Sequence, residues 1–405
     1  MLRGTPFHPR TSALNESQTW RRWAGYLTAG SYELTHEREY WAIRNSAALF
    51  DVSPLMKYLI TGPDAMRLLN RVVTRDVSKC AIGQVMYTPW CDEHGKVIDD
   101  GTVSRLGERT LRLTAADPNY RWLSMNAVGL NVNIEDVSDT TAALSLQGPN
   151  SQAILNSISN PQTPLSSASG ASVSDLKYFR LTQTSIAGIP VTISRTGYTG
   201  DLGYEIWADA KDAVPLWDAL LRAGHDYGLT PAGILALDIT RVEAGLLLIE
   251  VDYNSARHAI IEAQKSSPYE INLGWAVSLD KGNFNGRKAL AAEKTRGPAW
   301  QFVGLEVEWK GLERLYLDEG LPPQLPNITI RASLPVSSMG QQVGYASSSC
   351  WSPLLKKYIA LAHLETPHAR PGNLVMLEVT VEHKRRYAPA RVVALPFFSP
   401  ERKRA

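Results

Sequence analysis

The chain has 405 residues, which is enough for two or three domains that each bury a hydrophobic core. Hydrophobic residues make up 44% of it and charged residues 20%, the balance of a folded protein rather than a disordered one. The net charge of +2 is too small to favour nucleic acid or a membrane surface as a partner, so we expect a small-molecule ligand.

The cysteines and the N-terminal residues bear on the cellular compartment. Cys80, Cys91 and Cys350 follow no metal-binding or redox spacing, which favours a reducing environment. Residues 1–23 lack the apolar core of a signal peptide, and no run of 18 apolar residues occurs elsewhere. The sequence therefore predicts a cytoplasmic protein that does not span a membrane.

Strand and helix patterns mix irregularly in the first half of the chain. Residues 57–61 favour a strand, a Gly-Pro-Asp turn follows, and helical periodicity continues over 65–72. Residues 85–90 and 96–106 predict a hairpin, and a second hairpin is predicted over 190–208. Strands and helices without regular βαβ alternation are typical of an α+β protein.

The second half begins with predicted helices and ends in strands. One helix is predicted to bury a single stripe, which is formed by Leu235, Ile239, Val242 and Leu246. Asp238 and Arg241 lie off that stripe. Four strand-like runs then predict a C-terminal β-barrel-like domain, at 342–346, 360–364, 374–381 and 390–395.

Several strong motifs are absent from the sequence. There is no phosphate-binding loop of the Walker type, and the eight histidines show no HExxH pattern or paired ligand spacing. Gly197, Gly200 and Gly203 recur at every third position between predicted strands, whereas a dinucleotide-binding loop precedes a helix. A metal site and a nicotinamide or flavin fold are therefore not predicted.

Two adjacent carboxylates, Asp99 and Asp100, interrupt a strand-like run. Adjacent carboxylates repel each other, and side chains alternate along a strand, so these two point to opposite faces. One can be solvated while the other points into a cleft, where burial and a ligand nitrogen would tune its pKa. The alternative is an exposed pair at the end of a hairpin.

Glu205 is a second carboxylate in an apolar strand, flanked by Tyr204, Ile206 and Trp207. A carboxylate accepts two parallel N–H bonds from a ring that bears an amino group beside a ring N–H, and aromatic neighbours supply stacking area. This arrangement suits a pterin. The alternative is a glutamate on an edge strand in water.

Six short segments are each weakly specific alone, but their order along the chain is highly specific. They are Thr61-Gly62-Pro63-Asp64-Ala65, Val97-Ile98-Asp99-Asp100, Leu146-Gln147-Gly148-Pro149, 196–206, Arg241-Val242-Glu243-Ala244-Gly245-Leu246 and 282–290. In this order the chain resembles the T-protein of glycine cleavage and its folate-binding relatives.

The resemblance implies three domains arranged like a cloverleaf around a central channel for tetrahydrofolate. The first domain would be discontinuous, from 1–50 plus 140–290. The second would be an α+β domain over 51–139, and the third a β-barrel-like domain over 291–405. Tetrahydrofolate is the implied cofactor, and the implied activity is one-carbon transfer.

The same resemblance assigns roles to individual residues. Asp99 matches the catalytic aspartate near the reactive folate nitrogens, and Glu205 matches the glutamate that grips the pterin. Tyr198, Trp207 and Arg241 are further candidates for the folate site.

Two positions depart from the T-protein pattern. Where the family has an arginine near the start of the helix that follows Gly233, this chain has Leu237. Where it has an asparagine in a strand of the second domain, the chain has Ala116. Both are ligand-contacting positions in aminomethyltransferases, so their loss bears on the activity rather than on the fold.

Other segments resemble a branch of tetrahydrofolate-dependent demethylases that act on methylated compounds. They are 41–46, 205–207 and 268–271. Residues 250–267 also replace a shorter connection of the T-protein and bring Tyr253 and His258 near the expected channel. Either side chain is a candidate proton donor to a leaving group, and the structural alternative remains open for both.

Three functions are compatible with this sequence. The first is transfer of a methyl group from a small O-, N- or S-methylated substrate to tetrahydrofolate. The second is the aminomethyl reaction of glycine cleavage, which needs a lipoyl carrier protein as partner. The third is a folate-binding accessory protein without turnover, which the presence of Asp99 and the lack of a Lys-Gly-Cys motif disfavour.

Overall fold

The computed structural model describes residues 2–160 and 172–405, and these form two compact units. The first unit takes its described residues from Met1–Thr88, Asp99–Leu237 and Ser399–Ala405. The second consists of Pro89–Ile98 and Asp238–Phe398. Both units are discontinuous in sequence.

Helices and strands mix throughout the described residues, as expected for an α+β protein. Up to residue 136 they are β1 (Arg3–Gly4), α1 (His8–Leu14), β2 (Trp20–Trp23), β3 (Tyr26–Ala29), α2 (Glu37–Asn45), β4 (Ala47–Asp51), β5 (Met56–Thr61), α3 (Ala65–Val72), β6 (Val85–Cys91), β7 (Val97–Arg105), β8 (Thr110–Ala115), α4 (Tyr120–Asn126) and β9 (Asn133–Asp136).

The middle of the chain continues the same mixture. Its elements are β10 (Thr141–Gln147), α5 (Ser151–Ile158), β11 (Ser159–Asn160), β12 (Leu181–Ile186), β13 (Ile189–Ser194), β14 (Gly203–Asp209), α6 (Ala213–Gly224), β15 (Leu229–Pro231) and α7 (Ile234–Glu243).

The last third is mostly strand. Its elements are α8 (Arg287–Arg296), β16 (Trp300–Val307), α9 (Trp309–Leu317), β17 (Leu334–Ser338), β18 (Gln341–Ser352), β19 (Lys357–Glu365), β20 (Leu374–Val381) and β21 (Lys384–Val393).

A seven-stranded sheet forms the centre of the first unit, in the order β11-β12-β13-β14-β10-β4-β15. Strand β14 is antiparallel to both of its neighbours, with Glu205 opposite Ser145 on β10 and Ser194 on β13. One face of this sheet packs against α6, where Trp217 is fully buried and lies 5.9 Å from the ring of Phe7. Burial of each such large apolar side chain contributes roughly 1.5–3 kcal/mol.

A five-stranded sheet in the order β6-β7-β8-β5-β9 carries the first predicted carboxylates. Strand β8 lies inside this sheet, antiparallel to β7 on one side and to β5 on the other. The hairpin between β6 and β7 turns at residues 92–95, where the N–H of Gly95 donates to the carbonyl oxygen of Asp92 at 3.1 Å. The predicted hairpin, the strand at 57–61 and the helix at 65–72 are thus confirmed.

The second unit contains a closed barrel of six strands, in the order β16-β19-β18-β17-β20-β21. Alternate residues of β19, among them Ala360, Ala362 and Leu364, point into its apolar core. All four predicted C-terminal strands belong to this barrel, so the β-barrel-like domain is confirmed.

Helix α7 differs from its predicted pattern. It ends at Glu243, so Leu246 lies beyond it, and Asp238 and Arg241 are buried although they lie off the apolar stripe. Their burial is possible because the two side chains form an ion pair at 2.8 Å. Among the described residues, no helix is both long and apolar enough to cross a membrane.

Candidate active site

Asp99 lies in β7 and is fully buried. Its Oδ1 accepts the N–H of Asp100 at 2.8 Å, and its Oδ2 accepts the backbone N–H of Asp117 at 3.0 Å and the side-chain Nδ2–H of Asn119 at 2.8 Å. Burial raises the pKa of Asp99 well above its ordinary value, and the charge of Asp100 raises it further. The backbone donors oppose this shift. A buried carboxyl of this kind is suited to exchange a proton nearer neutral pH.

The partner carboxylate, Asp100, is half-buried and faces a tyrosine. The hydroxyl of Tyr87 donates to its Oδ2 at 2.7 Å. Burial raises the pKa of Tyr87 well above its ordinary value, Asp100 adds to the shift, and Tyr198 and Asp99 contribute through their charges. Asp99, Asp100, Tyr87 and Tyr198 are therefore neighbours. The alternative of an exposed pair at the end of a hairpin is wrong, because Asp99 has no exposed surface.

Glu205 lies on β14, an interior strand of the seven-stranded sheet, and is half-buried. The alternative of an edge-strand glutamate in water is therefore wrong. The hydroxyl of Thr196 donates to its Oε2. Burial raises the pKa of Glu205, whereas the Thr196 bond and the charge of Arg112 oppose that shift.

Close packing explains the glycines before Glu205. A Cβ added at Gly203 would lie 2.2 Å from the side chain of Gln147, and one at Gly197 would lie 2.1 Å from it. Gln147 is fully buried, donates to Ser145 Oγ at 3.0 Å and accepts the Thr199 hydroxyl at 2.8 Å. The two glycines thus admit the glutamine that ties the loop before β14 to strand β10.

Arg112 and Trp207 complete this cluster. Arg112 is 6% exposed, and the centre of its guanidinium lies 4.1 Å above the ring of Trp207, which is also buried. Burial lowers the pKa of Arg112 to about 10, while the charge of Glu205 opposes the shift. Trp207 is thus covered by a cation on one face, and Glu205 lies within electrostatic reach of that cation.

Arg241, a predicted folate contact, belongs to the second unit and donates four hydrogen bonds to protein groups. Its Nε donates to Asp238 at 2.8 Å, its Nη1 to Asp252 and to Leu246 O, and its Nη2 to the Ser348 hydroxyl at 2.7 Å. Asp252 also accepts from Ser348 at 2.7 Å. This network ties α7 to the barrel strand β18. The role of Arg241 in folate binding stays a prediction.

The two predicted proton donors also lie in the second unit. Tyr253 is 3% exposed, and its carbonyl accepts the N–H of Glu250 at 2.7 Å. The side chain of His258 is half exposed, and its Nδ1 lies 3.1 Å from Glu250 Oε1. The segment is fixed by backbone bonds, since Ala256 N–H donates to Val97 O and Val97 N–H donates to Ser266 O. Both roles stay predictions.

Sequence reasoning missed four residues of these clusters: Tyr87, Arg112, Asn119 and Thr196. Each contacts or electrostatically influences a predicted carboxylate. Tyr87 and Arg112 come from neighbouring strands, and Asn119 from a loop. One signal was available, because Arg112 interrupts an apolar strand run just as Glu205 does.

Two family descriptions match this chain. The description "GCVT N-terminal domain" matches residues 10–281, and "Glycine cleavage T-protein C-terminal barrel domain" matches residues 320–399. The chain belongs to the glycine cleavage T-protein family. The closed six-stranded barrel is the part of the structure that the second description names.

Curated relatives in the T-protein family cover nearly the whole chain. The aminomethyltransferase of Symbiobacterium thermophilum is 38% identical over 90% of both chains, and that of Halothermothrix orenii is 33% identical over 89% of this chain and 90% of its own. A trimethylamine-oxide aldolase of Ruegeria pomeroyi is 32% identical over the full chain, which matches about half of that longer protein.

A solved T-protein has the same fold. The glycine cleavage system aminomethyltransferase T of Bartonella henselae superposes with a TM-score of 0.80 at 24% identity, over 98% of this chain and 99% of its own. The T-protein fold is thus confirmed. The protein is an enzyme, a one-carbon transferase of the tetrahydrofolate-using T-protein family. The hypothesis of an accessory protein without turnover is therefore set aside.

Proposed function

We propose that the protein moves a methyl group from a small O-, N- or S-methylated substrate to tetrahydrofolate. The observation that carries the proposal is Leu237, an aliphatic side chain only 8% exposed where the T-protein pattern has a ligand-contacting arginine. A buried leucine supplies no charge and no hydrogen bond to an aminomethyl-carrying partner.

A second position supports the same conclusion. Ala116 follows the last residue of β8 and begins the loop that carries Asp117 and Asn119. The alanine has no side-chain amide for a ligand, and the amide of Asn119 is already bonded to Asp99 at 2.8 Å. If both positions align with the T-protein pattern as the resemblance implies, both ligand contacts of an aminomethyltransferase would be missing.

Glu205 and Asp99 would hold the tetrahydrofolate. The two oxygens of the Glu205 carboxylate suit the paired N–H groups of the pterin edge, and the bond from Thr196 to Oε2 fixes the orientation of that carboxylate. Asp99, held by three donors, would position the reactive end of the folate and exchange a proton with it.

The transfer itself balances without a further reagent. When bound, tetrahydrofolate would supply N5 as the acceptor, and the bond from the methyl carbon to oxygen, nitrogen or sulfur would break as the bond to N5 forms. The leaving heteroatom would keep the electron pair and take up a proton, and N5 would lose one. Tyr253 or His258 would supply the proton to the leaving group.

A second candidate is favoured by the names of the relatives, since most of those compared are aminomethyltransferases. In that reaction an aminomethyl group on a lipoyl carrier protein becomes methylene-tetrahydrofolate and ammonia. The Ruegeria pomeroyi relative is named for a methylated amine oxide, but this chain matches about half of that protein and an aldolase releases an aldehyde, so the name does not separate the two candidates.

Mass spectrometry of the folate product separates the two candidates. The purified protein is incubated with tetrahydrofolate and a panel of O-, N- and S-methyl compounds, and in parallel with an aminomethylated lipoyl carrier. We expect 5-methyl-tetrahydrofolate from at least one methyl compound and no methylene product from the carrier. Methylene product from the carrier alone would restore the aminomethyltransferase function.

A further inference from the structure

Arg112 is held by its neighbours both at the backbone and at the guanidinium. It projects from β8, with Leu59 of β5 and Ser104 of β7 as its backbone neighbours across the sheet. Its guanidinium stacks on Trp207 at 4.1 Å, which fixes the plane of the cation. Only 6% of the residue is exposed.

The hydrogen-bonding edge of this guanidinium is unused. Nε and Nη2 are buried and find no hydrogen-bond partner among the residues 2–160 and 172–405. In the same described part of the chain, no carboxylate comes within 4.0 Å to form an ion pair with Arg112. Each buried donor left unpaired costs about 1–3 kcal/mol, and more on a charged group. An unpaired buried guanidinium edge therefore calls for an explanation, and a bound ligand is one.

Nε and Nη2 are the two nitrogens with which arginine grips a carboxylate side-on. The chain itself shows this geometry twice in its first unit. Arg10 donates from Nε and Nη2 to Asp218 at 2.7 and 2.8 Å, and Arg402 does so to Asp201 at 2.6 and 2.8 Å. The open edge of Arg112 therefore has the shape that a planar two-oxygen anion requires.

The local charge also favours an anion. Lys57 is buried, and its Nζ donates to the carbonyl oxygens of Ser53, Ser138 and Thr141. Burial lowers the pKa of Lys57 to about 8, and the positive charge of Arg112 contributes to that shift. Two buried cations thus act on each other, and a bound carboxylate would relieve their repulsion. The indole N–H of Trp207, also buried and unpartnered in the described chain, adds a donor to the cluster.

We propose that Arg112 binds a carboxylate of the methyl donor, so that the substrate is a methylated small acid. This inference rests on the proposed methyl transfer. It assigns Arg112 as a residue that determines specificity. Since Arg112 acts electrostatically on Glu205, the carboxylate would be bound beside the site proposed for the pterin.

Matched donor pairs test the specificity. The two members of each pair carry the same kind of transferable methyl group, and only one of them carries a carboxylate. The pairs are an N-methyl amino acid and an N-methylamine, a methoxybenzoate and methoxybenzene, and a methylthio acid and a dialkyl sulfide. We expect the wild-type protein to use the acid member of one pair and to use the member without a carboxylate at least tenfold less well in kcat/KM. Preference for the member without a carboxylate would overturn the proposal.

Variants connect this preference to Arg112. Arg112→Met should raise the KM for the acid on the order of tenfold to a hundredfold, and by more than it raises the tetrahydrofolate dissociation constant, which it affects only indirectly through the charge of Glu205. Arg112→Lys should recover part of the loss, because it keeps the charge without the fork. Arg10→Met, which removes an exposed paired arginine, is the matched control and should leave KM unchanged. An unchanged KM in Arg112→Met, or a loss confined to folate affinity, would contradict the assignment.

A binding arm is independent of turnover. Benzoate and acetate should raise the melting temperature of the wild-type protein more than benzamide and acetamide do, and Arg112→Met should abolish the difference. If Arg112 only pairs with Glu205, the Met variant melts lower and the carboxylates give no shift, which overturns the inference. If the carboxylate shift is present but no donor yields methyl-folate, the proposed methyl transfer fails while carboxylate binding by Arg112 stands.

Discussion

Glu205 should determine the affinity for tetrahydrofolate. Glu205→Gln removes the negative acceptor while keeping the shape, so the dissociation constant should rise by roughly tenfold or more, measured by titration calorimetry. Burial raises the pKa of Glu205, so its charged fraction falls as the pH drops toward that raised value. The wild-type affinity should therefore weaken on acidification, and the Gln variant should lack this dependence.

Asp209→Asn is the matched control for Glu205, because it lies on the same strand but is exposed. It should leave both the affinity and its pH dependence unchanged. An unaltered dissociation constant in Glu205→Gln would show that the carboxylate serves only the bond to Thr196.

Asp99→Asn should lower turnover by roughly a hundredfold or more while the folate dissociation constant changes little. Every orientation of the new amide sets an N–H against a donor, since Asp100, Asp117 and Asn119 all donate to this carboxylate. A stability loss of about 1–3 kcal/mol is therefore expected as well, and denaturant unfolding measures it.

The pH dependence of the stability loss in Asp99→Asn shows whether the titration of Asp99 contributes to it. The pKa of Asp99 is raised in the folded protein, so the folded chain keeps a proton that the unfolded chain has released. Wild-type stability from this group thus falls as pH rises above the ordinary aspartate range, and the variant lacks the term. The gap between the two proteins should narrow with rising pH. A gap that is constant, together with unchanged turnover of the folded variant, would refute the catalytic assignment.

Tyr253→Phe should reduce turnover with O-methyl donors and spare S-methyl donors, because an alkoxide is the poorer leaving group and depends more on a proton. The buried ring and the backbone bond from Glu250 are preserved in phenylalanine. Steady-state rates with both donor classes are the measurement, and Tyr227→Phe on a partly exposed tyrosine is the control. Equal losses for both classes would argue against a proton donor.

At the scale of residues, the sequence identifies charges placed where burial is costly. Asp99 and Glu205 were both predicted because a carboxylate in an apolar strand needs a partner. Their partners were not predicted. Asn119 and Thr196 are ordinary loop residues in the sequence, and only the fold brings them to the carboxylates.

Among the elements, the tie between α7 and β18 should govern the stability of the second unit. Arg241→Met leaves the buried Asp252 without its cation, which typically costs 3–5 kcal/mol, whereas Asp238 keeps its ion pair with Arg331 at 2.7 Å. We expect a loss of about that size in denaturant unfolding. Arg314→Met, on an exposed pair with Asp318, should cost less than about 1 kcal/mol.

The same variant bears on the predicted folate role of Arg241. A folded Arg241→Met protein with wild-type folate affinity would reduce the residue to a structural one. A loss of affinity larger than that of Arg314→Met would support the cofactor contact.

The elements that the sequence predicts are those bounded by local turn residues. The hairpins at β6–β7 and β13–β14 are bounded by glycine and aspartate turns, and the barrel strands β20 and β21 largely alternate between buried and more exposed residues. Strands β10 and β16 were not predicted, because their nearly continuous apolar runs do not distinguish a strand from a buried helix. For helix α7 the sequence predicts a single buried apolar stripe. It does not predict the buried ion pairs of Arg241, because these depend on tertiary contacts.

On the scale of the whole molecule, the chain leaves and re-enters its units. The last segment, Ser399–Ala405, returns to the first unit, where Arg402 pairs with the buried Asp201 and Arg195 donates to the Arg402 carbonyl. No local sequence pattern predicts that the C-terminal segment belongs to the first unit. The three domain ranges drawn from the resemblance stay predictions, and the T-protein fold itself is shown.

The central claim is that an intact methyl group reaches tetrahydrofolate, and a deuterium label tests it most directly. The methyl compound that is active in the panel is prepared with a trideuteromethyl group and incubated with the protein and tetrahydrofolate. Mass spectrometry then measures the mass of the folate product. Direct transfer predicts 5-methyl-tetrahydrofolate that carries three deuterium atoms. A methylene product with two deuterium atoms, or folate product formed only from an aminomethylated lipoyl carrier, would contradict it.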